Sequence, residues 1–131
     1  MLKTIEELRK FFEADRFAAE MGAVITECGE GGATVEMDAG PRHLNAAGTV
    51  QGGALFTLAD FAFAVAANAG GVLTVSLQNS ISFLHAAKPG RLTARAERVS
   101  ETRRTCCYDV SVTDETGNLT ARMSVTGYRR G

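Results

Sequence analysis

The 131-residue chain has few of the residues on which several common kinds of site depend. It has only two histidines, and neither has acidic or cysteine partners at ligand spacing, so we expect no metal site. Its three cysteines form no disulfide framework, because the adjacent Cys106 and Cys107 would point to opposite faces of a strand. Reduced thiols, and therefore a cytoplasmic protein, are the expectation.

The chain also lacks a strong net charge and a long uninterrupted apolar run. A net charge of −1 provides no basic field that would attract nucleic acid or an anionic membrane. Charges recur every few residues at the amino terminus, where a secretory signal would need a continuous apolar stretch. The longest apolar run, residues 52–71, contains Asp60 and Asn68, which favours a buried helix over a membrane span. The length predicts a single domain, residues 1–131.

The first 20 residues carry a helical pattern. Thr4 followed by Glu7 is a capping-box signature, and apolar residues then recur at helical spacing. The prediction is one helix from residue 4 to about residue 20, or two short helices broken near Asp15.

Six segments have strand character. The predicted strands cover residues 22–29, 33–39, 73–83, 91–99, 104–113 and 118–129. In 73–83 the odd positions are apolar except Asn79, so one face of this strand should be buried and the other polar. Sequential strands joined by short turns imply an antiparallel sheet.

One long helix is predicted between the two groups of strands, after a loop over residues 40–51. Residues 52–68 are apolar on almost every face, which indicates a helix that is enclosed on all sides. It would be about 25 Å long. A helix beside an antiparallel sheet gives an α+β fold.

Asp60 is the first candidate for chemistry. A lone carboxylate in an apolar helix loses its hydration, which raises its pKa and suits it to work as a general base or nucleophile. The competing interpretation is an ordinary helix aspartate on a solvated stripe or bonded to nearby backbone.

The start of the same helix offers hydrogen-bond donors. Backbone N–H groups of Gly52 and Gly53 can receive an oxyanion, although a loop-to-helix transition alone explains two glycines. Asn45 can donate to water or to a carbonyl oxygen, or can cap its own loop. Four arginines near one strand turn can bind phosphates or form a solvated face; they are Arg95, Arg98, Arg103 and Arg104.

Taken together, these residues resemble the hotdog-fold thioesterase superfamily, specifically the branch of the phenylacetic-acid-degradation thioesterase PaaI. The resemblance covers residues 15–129. The matching motifs are His43-Leu44-Asn45, Gly48-Thr49-Val50, Gln51-Gly52-Gly53, Leu58-Ala59-Asp60, Lys88-Pro89-Gly90 and Arg103-Arg104-Thr105. The family's usual histidine before Gly-Gly is Gln51 here, which leaves the oxyanion contacts and the substrate class open.

The resemblance implies a sheet wrapped around the central helix, and homodimers that join edge to edge and often pair into tetramers. It implies hydrolysis of an aryl- or medium-chain acyl-CoA, with active sites at the dimer interface. No cofactor is expected, because coenzyme A is part of the substrate. A non-catalytic acyl-CoA-binding module is the alternative, whereas a hotdog hydratase would need a paired Asp and His that are absent.

The resemblance also assigns roles. Asp60 is implied as nucleophile or general base, and Asn45 as the group that positions water or carbonyl. Gly52 is implied in the oxyanion hole, beside Gln51 and Gly53. Thr74 or Ser76 would hold the water. Arg103 and Arg104 are the candidates for binding the coenzyme A phosphates.

Overall fold

A computed structural model of the chain describes residues 2–130; Met1 and Gly131, which the predicted domain includes, lie outside the described residues. The amino-terminal segment forms two short helices, α1 (Ile5–Phe11) and α2 (Arg16–Met21), joined by a 3-10 turn. The capping box is present, since the Glu7 N–H donates to Thr4 Oγ1 at 3.1 Å and the Thr4 N–H to Glu7 Oε1 at 2.9 Å. The helix breaks at Asp15, whose carboxylate caps α2. The second of the two predicted alternatives is therefore confirmed.

Six antiparallel strands form one sheet, as predicted. They are β1 (Val24–Gly29), β2 (Gly32–Ala39), β3 (Thr74–Phe83), β4 (Gly90–Glu101), β5 (Thr105–Asp114) and β6 (Leu119–Arg129). Their order across the sheet is β1-β2-β4-β5-β6-β3. Although only a short turn joins β3 to β4, these two strands are not neighbours. The chain after β3 instead bonds to β6, where the Leu84 N–H donates to the Thr120 carbonyl at 2.8 Å.

The predicted burial of one β3 face is wrong in part. The register between β3 and β6 shifts between Ser76 and Gln78, so the side-chain alternation changes phase at Leu77. Val75 and Leu77 are exposed, at 44% and 62%, because the bulge turns Ser76 and Asn79, and not these two residues, toward the helix. β3 is also an edge strand, with no further strand beside it in the described sheet. Strict alternation predicts the wrong faces wherever a bulge adds a residue.

The long helix α3 (Gly52–Asn68) lies against the sheet, and the prediction that it is enclosed on all sides holds except along one stripe. From residue 54 to residue 69 no side chain is exposed. The helix packs closely on the strands: the Phe63 ring meets the Tyr108 ring edge-on at 5.4 Å, and a Cβ at Gly127 would lie 2.8 Å from the Phe63 ring. One stripe of α3 is only half-buried; it contains Phe56, Thr57, Asp60, Ala64 and Ala67.

Residues 2–130 contain neither a membrane-spanning helix nor a group of metal ligands. No helix there has both the length and the apolar character needed to cross a bilayer. No group of three or more histidine, cysteine, aspartate or glutamate side chains is placed to hold a metal ion in that part of the chain.

Candidate active site

Asp60 lies in the middle of the half-buried stripe of α3, next to the edge strand β3. Asn79 Nδ2 donates a hydrogen bond to Asp60 Oδ1 at 2.9 Å. The Ser76 hydroxyl also acts on this carboxylate. Residues 76 and 79 would point to opposite faces of a regular strand, but the bulge at Leu77 turns both toward the helix. The bulge therefore places two polar side chains next to the Asp60 carboxylate.

The surroundings of Asp60 raise its pKa above the ordinary aspartate value. Burial is the largest cause, because it disfavours the charged form, and the Asn79 hydrogen bond opposes it. The negative charge of Asp15, at the start of α2, raises the pKa further, and the Ser76 hydroxyl lowers it. A carboxylate in this condition is a better proton acceptor than a solvated one.

A free backbone amide lies at the start of α3. The Gly52 N–H donates to no acceptor among residues 2–130, whereas the Gly53 N–H is taken up by Oε1 of Gln51. Gln51 is thus the amino-terminal cap of α3. A Cβ on Gly52 would lie 3.1 Å from the Phe83 ring, a tight contact that the ring would have to relieve by shifting a few tenths of an ångström. Gly52 is the donor that remains available to an oxyanion.

Asn45 organises the loop before α3. Its Oδ1 accepts from the N–H groups of Ala47 and Thr49 at 2.9 and 3.1 Å, and its Nδ2 donates to Thr49 Oγ1 at 3.0 Å. Asn45 therefore caps its own loop, one of its two predicted roles. The side chain is exposed and borders the same cleft of about 360 Å³ as Gly52, Phe83 and His85.

The acid and the free amide of one chain lie apart. Asp60 follows Gly52 by eight residues on a continuous helix, and these eight steps span about 12 Å at the helical rise of about 1.5 Å each. A carbonyl carbon has to lie about 3 Å from both an attacking atom and an oxyanion donor. One chain's Asp60 and Gly52 therefore cannot act on the same carbonyl.

The other predicted residues lie at the start of β3 and in the β4–β5 turn near it. Thr74 is buried at the start of that strand, and its hydroxyl donates to the Val72 carbonyl, so it does not face Asp60. Arg103 and Arg104 lie in the β4–β5 turn near the same end, where the Arg129 N–H donates to the Arg104 carbonyl. Both arginines are exposed. They are remote from Gly52 of their own chain, since Phe83 at the other end of β3 contacts that glycine.

Asn79 is the site residue that the sequence argument did not name. Its signal was present as the single polar residue among the apolar odd positions of 73–83. A polar side chain that interrupts an apolar face is satisfied by some partner when it is buried, and that partner is Asp60. His43, by contrast, is structural: its Nδ1 accepts from the Gly40 N–H, and its Nε2 donates to the Met21 carbonyl.

The sequence model of the thioesterase superfamily matches residues 47–121, the segment that contains Gly52, Asp60 and Asn79. A putative esterase of Archaeoglobus fulgidus is 36% identical, over 95% of this chain and 82% of that protein. The acyl-coenzyme A thioesterase PaaI of Escherichia coli is 32% identical, over 98% of this chain and 93% of that one.

Solved structures agree with these relatives. The structure of E. coli PaaI superposes with a TM-score of 0.90 over 93% of this chain and 89% of that chain. A hypothetical thioesterase of Streptococcus pneumoniae, crystallised with coenzyme A, is 32% identical, with a TM-score of 0.86 over 93% of this chain and 96% of that chain.

Proposed function

Since this chain belongs to the thioesterase superfamily and is a thioester hydrolase of the PaaI-like branch with the hotdog fold, we propose that it cleaves acyl-CoA to a free acid and coenzyme A. The preferred acyl group is aryl or medium-chain. The observation that carries the proposal is the half-buried Asp60, whose pKa is raised and whose Oδ1 is held by Asn79. The coenzyme A in the pneumococcal structure supports the substrate class.

In the proposed reaction, Asp60 takes a proton from water, or attacks the thioester carbon directly. When Asp60 acts as a base, the water adds to the carbonyl carbon, the carbon–sulfur bond breaks, and the departing thiolate of coenzyme A takes up the proton that Asp60 accepted. When Asp60 attacks directly, the thiolate leaves from an acyl anhydride on Asp60, and water then hydrolyses the anhydride to the free acid and restores the carboxylate. The Gly52 N–H donates to the oxyanion that forms, an interaction worth about a hundredfold or more in rate. Asn45 positions the water or the carbonyl. The reaction needs no cofactor.

Two copies of the chain form each site. The separation of about 12 Å between Asp60 and Gly52 calls for an acid from a second copy. The β3 edge supports this assembly, since it is unpaired and exposes Val75 and Leu77. Pairing β3 with β3 of a second copy in antiparallel fashion places each strand's start beside the other strand's end. Asp60 of one copy then meets Gly52 of the other, and such dimers can pair into tetramers.

The same pairing gives the turn arginines a role. Arg103 and Arg104 lie near the start of β3, so in the antiparallel pair they approach Phe83 and Gly52 of the other copy. Guanidinium groups bind phosphates well. These two arginines hold the phosphates of coenzyme A, while Gln51 and Gly53 support the oxyanion donor by fixing the start of α3. Ser76, whose hydroxyl lowers the pKa of Asp60, completes the acid's side of the site, whereas the Thr74 hydroxyl is turned to the Val72 carbonyl. The three cysteines, all free, suit a cytoplasmic protein.

The test is Asp60→Asn, with thiol release from a panel of acyl-CoA thioesters as the measurement. We expect turnover to fall about a thousandfold or more, because asparagine neither accepts the proton nor attacks. Binding of acyl-CoA should persist. Asp109→Asn, on the exposed face of β5, is the matched control and should turn over normally. Full hydrolysis by Asp60→Asn would overturn the assignment, and tight binding without hydrolysis by the unmodified protein would favour the non-catalytic binding module.

The stability of Asp60→Asn shows whether a loss of turnover comes from lost chemistry or from lost folding. Burial raises the pKa of Asp60 in the folded state, so the folded protein holds this proton more tightly than the unfolded chain does. That contribution to stability is complete below the unfolded pKa and is lost as the pH rises through the folded pKa. A neutral asparagine avoids the loss, so at pH 7 Asp60→Asn should be at least as stable as the unmodified protein.

A further inference from the structure

A second cleft, of about 630 Å³, lies on the other side of the start of α3, between that helix and α2. Its walls come from three segments of the chain, within residues 17–21, 42–44 and 51–57. The apolar lining consists of Phe17, Met21, Leu44, Ala54 and Phe56. The volume is in the range that holds a small organic ligand.

The polar groups of this cleft are already engaged within the protein. The Thr57 hydroxyl donates to the Gly53 carbonyl at 2.9 Å, and Arg42 Nη2 donates to the Met21 carbonyl at 3.0 Å. Both ring nitrogens of His43 have backbone partners. Glu20, at the rim, faces Arg16 at 3.6 Å. With few free polar groups to satisfy, the cleft suits an apolar group.

The cleft begins beside the proposed oxyanion donor. Gln51 and Gly53, the residues on either side of Gly52, both line it. Gly52 lines the smaller cleft, so a carbonyl at its N–H would lie at the start of α3, between two residues that line this larger cleft. Phe17 stands at the cleft with 73% of its surface exposed, an apolar side chain that a bound chain would cover.

We propose that this cleft binds the acyl group of the substrate, with Phe17 and Phe56 as the residues that set its preferred length and shape. The inference rests on the proposed function and adds the place of substrate selection to it. An acetyl group would leave most of the space empty, whereas an arylacetyl or medium-chain group would fill it. Each added methylene should raise kcat/KM about fourfold until the cleft is full, which corresponds to about 0.8 kcal/mol per buried methylene.

The test compares kcat/KM for acetyl-, butyryl-, hexanoyl-, octanoyl- and phenylacetyl-CoA. Ala54→Phe places a ring in the cleft, and we expect the octanoyl-to-acetyl ratio of kcat/KM to fall at least tenfold. Phe17→Ala removes one wall and should flatten the dependence on chain length. Phe11→Ala is the matched control, because Phe11 is also exposed, at 52%, in the same amino-terminal segment but does not line the cleft.

Equal losses for every acyl length, or an unchanged ratio in both cleft variants, would overturn the inference while leaving hydrolysis intact. If the unmodified protein releases no thiol from any thioester, the proposed function fails. A binding measurement then tests whether the cleft holds the acyl group. Octanoyl-CoA with a non-hydrolysable thioether should bind Phe17→Ala or Ala54→Phe at least tenfold more weakly than it binds Phe11→Ala. Equal affinities of the three variants would show that the cleft does not bind the acyl group.

Discussion

The two edges of the sheet differ in how they meet solvent. The β1 edge has six residues, includes Glu27, and is bulged between Ile25 and Glu27. The guanidinium of Arg9 also covers it, donating to the Ile25 carbonyl at 2.9 and 3.2 Å. The β3 edge has ten residues and no charged side chain, and exposes Leu77 at 62%.

These differences are those between an edge strand that is protected against pairing and one that is not. Edge strands in natural proteins are shortened, bulged, charged or covered so that they do not pair with other chains. β1 has each of these features, whereas β3 has a bulge that serves Asp60 and otherwise lacks them. The unprotected edge is also the edge beside the acid. In the proposed dimer the lack of protection and the position beside the acid have one cause, because the pairing of β3 with β3 brings Asp60 to the other chain's Gly52.

A lysine placed on each edge in turn tests whether the two edges differ in role. Leu77→Lys puts a charge into the proposed interface, and burying an unpaired charge costs several kcal/mol. We expect the dimer to dissociate and kcat/KM to fall about a thousandfold, because the acid and the oxyanion donor then belong to separate molecules. Sedimentation equilibrium and thiol release measure the two effects, and the unmodified protein in the same experiment distinguishes dimer from tetramer.

Val24→Lys on β1 is the matched control, since Val24 is 55% exposed on the opposite edge. It should leave both mass and turnover unchanged. A monomeric Leu77→Lys protein with full activity would refute the shared site, and equal losses from both lysines would show that the two edges do not differ in role.

Asn79→Ala tests the polar surround that the β3 bulge creates. The Asn79 hydrogen bond stabilises charged Asp60 and holds its pKa down, so its removal raises that pKa further. Because the ionised acid is the active form, activity is lost as the pH falls through the pKa, and the acid limb of the kcat profile should move to higher pH. We expect kcat to fall by up to about tenfold on the acid side of the profile, in line with a hydrogen bond to a charged group, and to recover as the pH rises.

Ser80→Ala, next to Asn79 and exposed, is the control and should leave the pH profile in place. An unshifted acid limb in Asn79→Ala, with kcat lowered equally at every pH, would show that Asn79 supports the fold and does not act on the acid.

Much of the fold was predictable because local patterns agreed with the global structure. The capping box at Thr4, the apolar run of α3 and the six strands all rest on short-range signals. Strand order was not predictable in this way, since β3 joins β6 through contacts between residues about 45 positions apart, such as Asn79 and Val125. The bulge at Leu77 was hidden for a related reason, because it is a property of the register between two strands.

The site was predictable in parts. Asp60 could be singled out because a lone acid in an apolar helix is unusual, and Gly52 because glycines open that helix. Asn79 was passed over, since a strand residue's partner across the sheet and helix is not visible in the sequence. The separation of Asp60 from Gly52 follows from helical rise alone, and this spacing is what supports the proposed second copy of the chain.

The smallest expected effect concerns the protected edge. Arg9→Ala removes the guanidinium from the Ile25 carbonyl, and hydrogen bonds to charged groups contribute about 1.5–3 kcal/mol, less where they are partly exposed. We expect the free energy of unfolding, measured in urea, to fall by about 1 kcal/mol without loss of turnover. Lys10→Ala is the control. Lys10 lies in the same last turn of α1, so this substitution also removes a favourable interaction with the helix dipole. If both variants lost equal stability, the Arg9 contact would contribute nothing specific to β1; if Arg9→Ala lost activity as well, the two edges would be coupled in a way that the proposed dimer does not explain.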